Sequence, residues 1–267
     1  MRCAVLGDPI EHSLSPALHR AGYAELGLDW EYDAVRVPAG TLAGHLGGLG
    51  GEWRGLSLTM PLKREVMPLL ASCSHRARVA GAANTLVRTS AGWAGDNTDL
   101  PGAVNALRER HDGPLGRAVI LGAGATAAST GLALVELGVR EITILARSAE
   151  RAADTAAVLA GSGADVLIQP LELRIDTDVV VSTLPVEAQT PALVNRWREA
   201  PVMFDVVYDP WPTPLVAAAR ESGGTVVTGL DLLVHQAVLQ LELFTGQAAP
   251  LEAMRAAGEA ALAGTPA

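Results

Sequence analysis

Cysteine, aromatic residues and basic charge are all scarce in this chain. Its 267 residues contain two cysteines, Cys3 and Cys73, too few for a disulfide framework or a cysteine-based zinc motif. We therefore expect reduced, structural thiols and a cytoplasmic location. The formal net charge of −9 argues against a nucleic-acid surface, because phosphate binding needs clustered Lys and Arg.

Signals for metal binding and for membrane insertion are equally sparse. The six histidines show neither H-x-x-x-H nor H-E-x-x-H spacing, so we expect no metal site. Charged Asp8 and Glu11 come too early for a signal peptide. The 22 mostly apolar residues 118–139 have the length of a membrane span, but Glu136 and an interior glycine turn favour a buried strand and helix. We predict no membrane partner.

Strand and helix signals alternate along the whole chain, which is typical of α/β proteins with parallel sheets covered on both faces. Hydrophobic residues make up 49% of the chain and aromatic residues 4%, so aliphatic side chains must fill the core. The polar run 111–114 is the best linker candidate. Strands are predicted at 3–6, 31–37, 55–58, 83–87, 118–121, 141–145, 164–168, 179–182, 202–206 and 225–228. Helices are predicted at 16–26, 61–70, 100–110 and 125–137, with an amphipathic segment at 41–49, helical segments between most strands of the second half, and two helices after 231.

A glycine-rich turn, G-A-G-A-T-A at 122–127, joins a predicted strand to a predicted helix. Gly122 permits a tight turn, Gly124 lets the backbone approach a pyrophosphate, and Ala127 allows close packing of helix and strand. A second strand ends at Arg147, where enzymes that use NAD usually carry Asp or Glu. Because a guanidinium suits a 2′-phosphate, this pattern favours NADP over NAD.

Two polar motifs in the first half follow predicted strands. In S-L-S-P at 13–16, Ser15 is predicted to cap the helix that Pro16 begins, and the two hydroxyls also suit a carboxylate. In the motif S-L-T-M-P-L-K, Thr59 and Lys63 lie at the carboxyl end of a strand, where open α/β sheets bind ligands.

Further polar motifs are less specific taken singly. The runs G-A-A-N-T at 81–85 and G-D-N-T-D at 95–99 are typical of turns, although their short polar side chains also suit the hydroxyls of a polyol. Asp99 is expected to pair with Lys63 inside a cleft. A proline-rich loop occupies 207–214, and the run G-L-D-L-L-V-H-Q occupies 229–236.

Taken together and in this order, these motifs resemble those of the shikimate dehydrogenase family over nearly the whole chain, and most closely its actinobacterial type. The resemblance implies reversible NADPH-dependent reduction of 3-dehydroshikimate to shikimate, in the route to chorismate and aromatic amino acids. It implies two α/β domains: a substrate-binding domain with a parallel or mixed sheet, 1–101 with 231–267, and an inserted Rossmann-like NADP-binding domain, 102–230. The C-terminal helices would return to the first domain, and the substrate would lie in the cleft between the two.

The resemblance also implies roles for individual residues. Lys63 and Asp99 would be catalytic, Lys63 as proton donor or stabiliser of the developing alkoxide and Asp99 as its orienting partner; the motifs do not decide which transfers the proton. The residues that would bind substrate are Ser13, Ser15, Thr59, Asn84, Tyr208 and Gln236. Those that would bind NADP are Gly122, Ala123, Gly124, Ala125, Thr126, Ala146, Arg147, Ser148, Thr183 and Gly229.

The chain departs from the common family pattern at several positions. Ser57 replaces a frequent Asn, Ala125 a frequent Gly, and Ala146 a polar residue, whereas Asp231 and Leu232 replace common Gly and Met. Alternatives are a quinate- or amino-shikimate-dependent relative and a non-catalytic NADP-binding sensor. Ser15 and Arg147 argue against a quinate enzyme that uses NAD, and the presence of Lys63 and Asp99 argues against a sensor. The expected partners are a small-molecule substrate and NADP, in a monomer or a homodimer.

Overall fold

The structure, a computed structural model, describes residues 1–264, which divide into two compact units. Unit 1 contains Met1–Thr98 together with 233–264, and unit 2 contains Asp99–Leu232. Residues 265–267, which belong to the predicted C-terminal part of the substrate domain, lie outside the described residues.

Twelve strands and eleven α-helices make up the two units within residues 1–264. The strands are β1 Arg2–Gly7, β2 Glu31–Arg36, β3 Trp53–Leu58, β4 Ser72–Cys73, β5 Thr85–Thr89, β6 Gly92–Asp96, β7 Arg117–Leu121, β8 Glu141–Ala146, β9 Asp165–Pro170, β10 Val179–Ser182, β11 Val202–Asp205 and β12 Thr225–Val227. The helices are α1 Ser15–Glu25, α2 Leu42–Gly47, α3 Leu62–Glu65, α4 His75–Ala80, α5 Asp99–Arg110, α6 Ala125–Glu136, α7 Ala149–Gly161, α8 Pro191–Trp197, α9 Pro214–Glu221, α10 Gly229–Thr245 and α11 Leu251–Ala263.

Unit 1 is built on a mixed sheet with the strand order β2-β1-β3-β5-β6-β4. Strand β1 is parallel to β2 and β3, whereas β5 is antiparallel to both β3 and β6. Strands β1 and β3 are buried along almost their whole length, and with β5 they supply an aliphatic core that includes Leu6, Leu56 and Leu86, all fully buried. On β3, Gly55 lies so close to Phe244 of α10 that a Cβ at this position would overlap the phenyl ring.

Unit 2 contains a sheet in which every strand pair is parallel, with the order β12-β11-β10-β7-β8-β9. Read from β9, this is the order 3-2-1-4-5-6 of a Rossmann-like fold, with the reversal between β7 and β10. The strands are short and apolar because helices cover both faces, and Val119, Val180 and Met203 are all buried. The expected α/β class, with one mixed and one Rossmann-like sheet, is confirmed.

Several local predictions were wrong. The predicted helix 61–70 is broken into α3 and a 3₁₀ turn at Met67–Leu69, because Pro68 has no N–H with which to continue an α-helix. Ser15 is the first helical residue and caps nothing; Leu14 stands at the N-cap position. The candidate linker 111–114 joins α5 to β7 within unit 2.

The elements that the sequence pattern did not reveal lie in the second half of the unit 1 sheet. Strand β6 includes Gly95 and Asp96, which were interpreted as part of a turn, and it pairs with β5 through Thr85 and Asp96. The two-residue strand β4 and the single-turn helix α4 are shorter than a periodic pattern can reveal.

Both cysteines are free, and burial raises the pKa of the Cys3 thiol to about 11. Among residues 1–264 no helix combines the length and the apolar character needed to cross a membrane. The described part of the chain likewise holds no group of three His, Cys, Asp or Glu side chains placed to bind a metal ion.

An ion pair ties α4 to the end of β6. Arg76 donates two hydrogen bonds to the carboxylate of Asp96, at 2.7 and 2.6 Å, and Ser74 and the Asn97 N–H also donate to it. Although burial alone would raise the pKa of Asp96, these hydrogen bonds hold it below the usual range. The hydrogen bonds to Asp96 therefore fix the loop that leads to Asp99.

Replacing Gly55 by Ala tests the close contact between β3 and α10. The added Cβ would meet the buried Phe244 ring, so we expect Gly55→Ala to lower the free energy of unfolding by about 1–3 kcal/mol in urea titrations. Gly44→Ala is the control: a Cβ there meets nothing within 4 Å, and alanine favours a helix by about 1 kcal/mol, so stability should be unchanged or higher. Equal effects of the two substitutions would contradict this account.

Replacing Arg76 by Met tests the ion pair with Asp96. The pair is only partly shielded, with 36% of the Arg76 side chain exposed, so we expect a loss of about 1 kcal/mol at pH 7. Because the pKa of Asp96 is lowered in the folded state, its stabilisation is present above the ordinary carboxyl pKa of about 3.9 and is lost as the pH falls through the folded value. The difference between wild type and variant should therefore shrink below about pH 4.

The control for this pH titration is Arg117→Met, which breaks an ion pair with Asp176 whose side chain is 87% exposed. That substitution should cost less than about 0.5 kcal/mol at any pH. A difference for Arg76→Met that stays constant between pH 7 and pH 3 would contradict the role assigned to the ion pair.

Candidate active site

The polar motifs of unit 1 meet at one edge of its sheet because of the strand directions. The carboxyl ends of β1 and β3 lie at this edge, since the two strands are parallel. The antiparallel β5 begins there, with Thr85 opposite Ser57, and β6 ends there, with Asp96 opposite Thr85. Four strands thus bring motifs that are far apart in sequence to the same edge.

The loops after β1 and β3 are in direct contact at this edge. The Thr59 N–H donates to Leu6 O at 2.9 Å, and the Asp8 N–H donates to Met60 O at 3.0 Å. A Cβ at Gly7 would overlap the Thr59 side chain and approach Met60 O to 2.9 Å, so the two loops fit together only with glycine at this position.

The serine motif follows the β1 loop. Ser13 is half-buried, and its Oγ accepts from the Ser15 N–H at 3.4 Å, while Ser15 is 5% exposed. Pro16 follows in the first turn of α1 and has no N–H to offer a ligand. Because α1 begins at Ser15, the hydroxyls of Ser13 and Ser15 lie at its amino terminus. The helix dipole favours a carboxylate at this position.

Lys63 lies in the short helix α3, directly after the β3 loop, and is half-buried. Its backbone oxygen accepts from the Ala83 N–H at 2.9 Å, so the lysine motif and the asparagine motif are joined through their backbones. Asp99 is the first residue of α5 and is 4% exposed.

Asn84 precedes β5 and is 1% exposed. Its Oδ1 accepts from the Thr98 N–H at 2.7 Å, and its Nδ2 donates to Gln236 Oε1 at 3.2 Å. Gln236 comes from α10, more than 150 residues along the chain, and its own Nε2 donates to Leu233 O at 2.9 Å. The structure thus brings together Asn84 and Gln236, two residues that the sequence motifs assign to one substrate.

In unit 2, the glycine-rich turn connects β7 to α6 at the reversal of strand order. Gly122 has a φ of +104°, and a Cβ there would overlap Thr183 Oγ1. Thr183 follows β10, and both its N–H and its hydroxyl donate to Leu121 O, at 2.9 and 3.1 Å. Gly122 and Thr183 are therefore fixed against each other at the carboxyl edge of the sheet, where such folds bind nucleotides.

The amino terminus of α6 fits a pyrophosphate. Gly124 occupies the N-cap position, where no side chain caps the helix, and a Cβ on Gly124 would have no neighbour within 4 Å. Ala123, Ala125 and Thr126 flank this exposed glycine, so backbone N–H groups and the helix dipole are presented to an anion.

Two residues that support this turn were missed by the sequence analysis. Thr155, fully buried on α7, donates its hydroxyl to Ala123 O at 2.8 Å, and no pattern in the alanine-rich helix marks it. Gly131, inside α6, leaves room for Leu159 and Ile120, whose side chains would lie within 3.0 Å of an added Cβ. Ala127 is also buried, and the signal available for Gly131 was a glycine inside an apolar helix.

The second strand, β8, ends at Ala146, and Arg147 follows with its side chain exposed. Ser148 accepts from the Arg151 N–H at 3.3 Å and so caps α7. Arg151, in the first turn of α7 and four residues after Arg147, is a second exposed arginine that the sequence pattern did not reveal. This cationic end of β8 fits a nucleotide with a 2′-phosphate.

The proline-rich loop that carries Tyr208 is anchored by the buried Asp205 at the end of β11. Asp205 accepts from Thr213 Oγ1 at 2.7 Å and from Gln189 Nε2 at 2.9 Å. Burial raises the pKa of Asp205, although these hydrogen bonds oppose the rise. Tyr208 itself is half-buried.

Two of the singled-out residues at the start of α10 have structural contacts. A Cβ on Gly229 would overlap the backbone of Val206, so this glycine permits close packing on the end of β11. Asp231, whose effect the sequence left open, accepts from the N–H and hydroxyl of Thr228 at 2.9 and 2.7 Å and from Arg110 at 2.7 Å. The Asp231 N–H in turn donates to Thr228 Oγ1 at 3.1 Å, so Thr228 and Asp231 cap the start of α10 reciprocally, and Arg110 ties it to α5.

Three family descriptions match successive parts of the chain. "Shikimate dehydrogenase substrate binding domain" matches residues 5–86, "Shikimate / quinate 5-dehydrogenase" matches 108–203, and "Shikimate 5'-dehydrogenase C-terminal domain" matches 229–257. The NADP(+)-dependent shikimate dehydrogenase of Moorella thermoacetica is 36% identical over 94% of this chain and 90% of its own length.

Solved structures that are similar to this chain come from the same family. The shikimate dehydrogenase of Mycobacterium tuberculosis aligns with a TM-score of 0.90 at 42% identity, covering 97% of this chain and 99% of that one. The enzyme of Thermus thermophilus, in complex with NADP(H) and shikimate, aligns with a TM-score of 0.88 at 32% identity, covering 98% of this chain and 100% of that one. The chain therefore belongs to the shikimate dehydrogenase family.

Proposed function

We propose that this protein is an NADP-dependent shikimate dehydrogenase that reversibly reduces 3-dehydroshikimate to shikimate. The observation that carries the proposal is the presence of the family's polar motifs, in order, on a chain that is similar to NADP(+)-dependent relatives over nearly its full length. We further propose a cytoplasmic enzyme of the chorismate route, monomeric or homodimeric, that takes neither nucleic acid nor membrane as a partner.

Unit 1 is the proposed substrate-binding domain. Ser13 and Ser15 would hold the carboxylate of the substrate, because two hydroxyls and the dipole of α1 favour an anion there. Thr59, Asn84 and Gln236 would bind the ring hydroxyls, and the adjacency of Asn84 and Gln236 supports this role. Tyr208, on the loop anchored by Asp205, is proposed to assist at the carboxylate.

Lys63 and Asp99 are the proposed catalytic residues. In the reductive direction a hydride adds to the carbonyl carbon, and the oxygen, which becomes an alkoxide, takes up a proton. The cationic lysine would stabilise the developing negative charge on this oxygen and Asp99 would orient the lysine. Lys63 or Asp99 would supply this proton.

Unit 2 is the proposed NADP-binding domain, and when bound NADPH supplies the hydride. Gly122, Ala123, Gly124, Ala125 and Thr126 would hold the pyrophosphate at the start of α6, next to Thr183. Ala146, Arg147 and Ser148 would hold the 2′-phosphate, with Arg147 as the main charge. Gly229 is proposed to contact the cofactor through its backbone.

A quinate dehydrogenase is the alternative within the family, since one of the matching descriptions covers both substrates. The exposed Arg147 at the end of β8 favours NADP, and Ser15 in the carboxylate motif favours shikimate. The substrate of an amino-shikimate dehydrogenase differs from shikimate in only one substituent, so rate assays with both substrates distinguish the two enzymes.

Replacing Lys63 by Met tests both the reaction and the catalytic role. We expect the wild type to reduce NADP with shikimate, followed at 340 nm, and kcat to fall by about a thousandfold in Lys63→Met, because a positioned proton donor contributes about 10²–10⁴ in rate. Quinate, an amino-shikimate and NAD serve as alternative substrates and cofactor. Turnover only with quinate would overturn shikimate as the substrate. An unimpaired Lys63→Met variant would overturn the catalytic role of Lys63.

Replacing Arg147 by Ala tests cofactor selection. Loss of charge-assisted hydrogen bonds to a 2′-phosphate should raise the KM for NADP about tenfold and leave the weaker use of NAD unchanged. Arg140→Ala is the control, because Arg140 lies at the other end of β8 and donates to Val135 O at 2.9 Å. Equal losses with NADP and NAD would show that Arg147 does not recognise the phosphate.

A further inference from the structure

A chain of buried hydrogen bonds runs through unit 1 behind Asn84. The Tyr32 hydroxyl donates to Ser57 Oγ at 2.5 Å, and Ser57 donates to Gln240 Oε1 at 2.7 Å. Gln240 Nε2 then donates to Thr85 Oγ1 at 3.1 Å, and Thr85 donates to Asn84 Oδ1 at 2.8 Å. All five side chains are at most 3% exposed.

The chemistry of each group gives this chain one direction. A carboxamide oxygen can only accept and its nitrogen can only donate, so the carboxamide of Gln240 fixes which way the hydroxyls on either side of it point. Ser57, which replaces a frequent family asparagine, is held by Tyr32 and Gln240. The Ser15 side chain lies beside the Tyr32 hydroxyl at the start of the chain.

His19 supports the same orientation of Gln240. Its Nε2 lies 3.3 Å from Gln240 Oε1 and donates to it, and its ring stacks on Tyr32 with centroids 4.0 Å apart. Burial lowers the pKa of His19 to about 3, so the imidazole stays neutral at any ordinary assay pH. No change of charge on this imidazole therefore disturbs the network during such an assay.

The network determines what Asn84 can present to a ligand. Its Oδ1 is occupied by the Thr98 N–H at 2.7 Å and by Thr85 Oγ1 at 2.8 Å. A second hydrogen bond from Gln240 Nε2, at 3.1 Å, fixes the Asn84 backbone oxygen. The amide nitrogen Nδ2 donates to Thr98 Oγ1 at 2.9 Å and to Gln236 Oε1 at 3.2 Å. A substrate oxygen that takes a hydrogen bond from Asn84 therefore replaces one of these two acceptors, while the network continues to hold Oδ1.

We propose that Gln240 and Thr85 are positioning residues that hold Asn84 in the orientation in which it donates to a ring oxygen of the substrate. The inference rests on the proposed function, in which Asn84 binds that oxygen. Without the carboxamide of Gln240, Thr85 is free to turn its proton elsewhere. Asn84 then loses a donor to Oδ1, and its amide is less firmly oriented.

The experiment is a double-mutant cycle on the full-length protein with Gln240→Met, Thr85→Val and the double variant, with KM and kcat measured for shikimate and for NADP. We expect each single variant to raise the KM for shikimate about tenfold, with kcat within about twofold and the KM for NADP unchanged, because binding of the ground state and of the transition state is weakened equally. The double variant should be no worse than the poorer single variant, because both substitutions break one chain.

Thr245→Val on the same helix is the matched control. Its hydroxyl donates to Leu241 O at 2.8 Å and takes no part in the chain behind Asn84, so the KM for shikimate should not change. If Gln240→Met does not fold, Thr85→Val alone still tests the link to Asn84. An unchanged KM for shikimate in the variants, or effects on KM that multiply in the double variant, would overturn the proposal. The proposed function would still stand in that case, provided that the wild type turns over shikimate. A wild type that does not turn over shikimate would overturn both.

Discussion

The antiparallel pairing of β5 with β3 is the constraint on which the organisation of unit 1 depends. In an all-parallel sheet, the segment before β5 would lie at the opposite edge from the loops that follow β1 and β3. Because β5 runs in the reverse direction, Asn84 lies directly before β5 at the point where β3 ends, and the Leu58 N–H donates to Asn84 O at 2.8 Å. The reversal of β6 then returns Thr98 to the same edge, where it hydrogen-bonds to Asn84.

Neutral polar groups, rather than charges, hold the interior of this edge together. Burying an ion costs several kcal/mol unless it is paired, whereas a buried carboxamide or hydroxyl is stable once its hydrogen bonds are made. Gln240, Ser57, Thr85 and Asn84 satisfy one another in this way. Charged side chains lie instead where an oppositely charged partner can pair with them, as Arg76 pairs with Asp96.

Unit 2 reaches its binding geometry by a different route, through backbone conformation. A positive φ at Gly122, the open position of Gly124 and the glycine–leucine packing at Gly131 bring a helix terminus to the carboxyl edge of a parallel sheet. Thr155 and Thr183 hold this turn from two sides through backbone oxygens. The turn is therefore fixed by contacts within the protein itself, which reduces the ordering required when a nucleotide binds.

The sequence by itself determined the α/β class and the glycine-rich turn, because these depend on local spacing and on residue type; the roles of Lys63 and Arg147 stay predictions. It could not reveal β4, β6 or α4, since strands and helices of a few residues carry no usable period. It also gave no sign of Gln240, Thr155 or Arg76, because each acts on a residue at least 20 positions away. Only the tertiary structure decides such contacts, since they depend on strand direction and on which helix covers which edge.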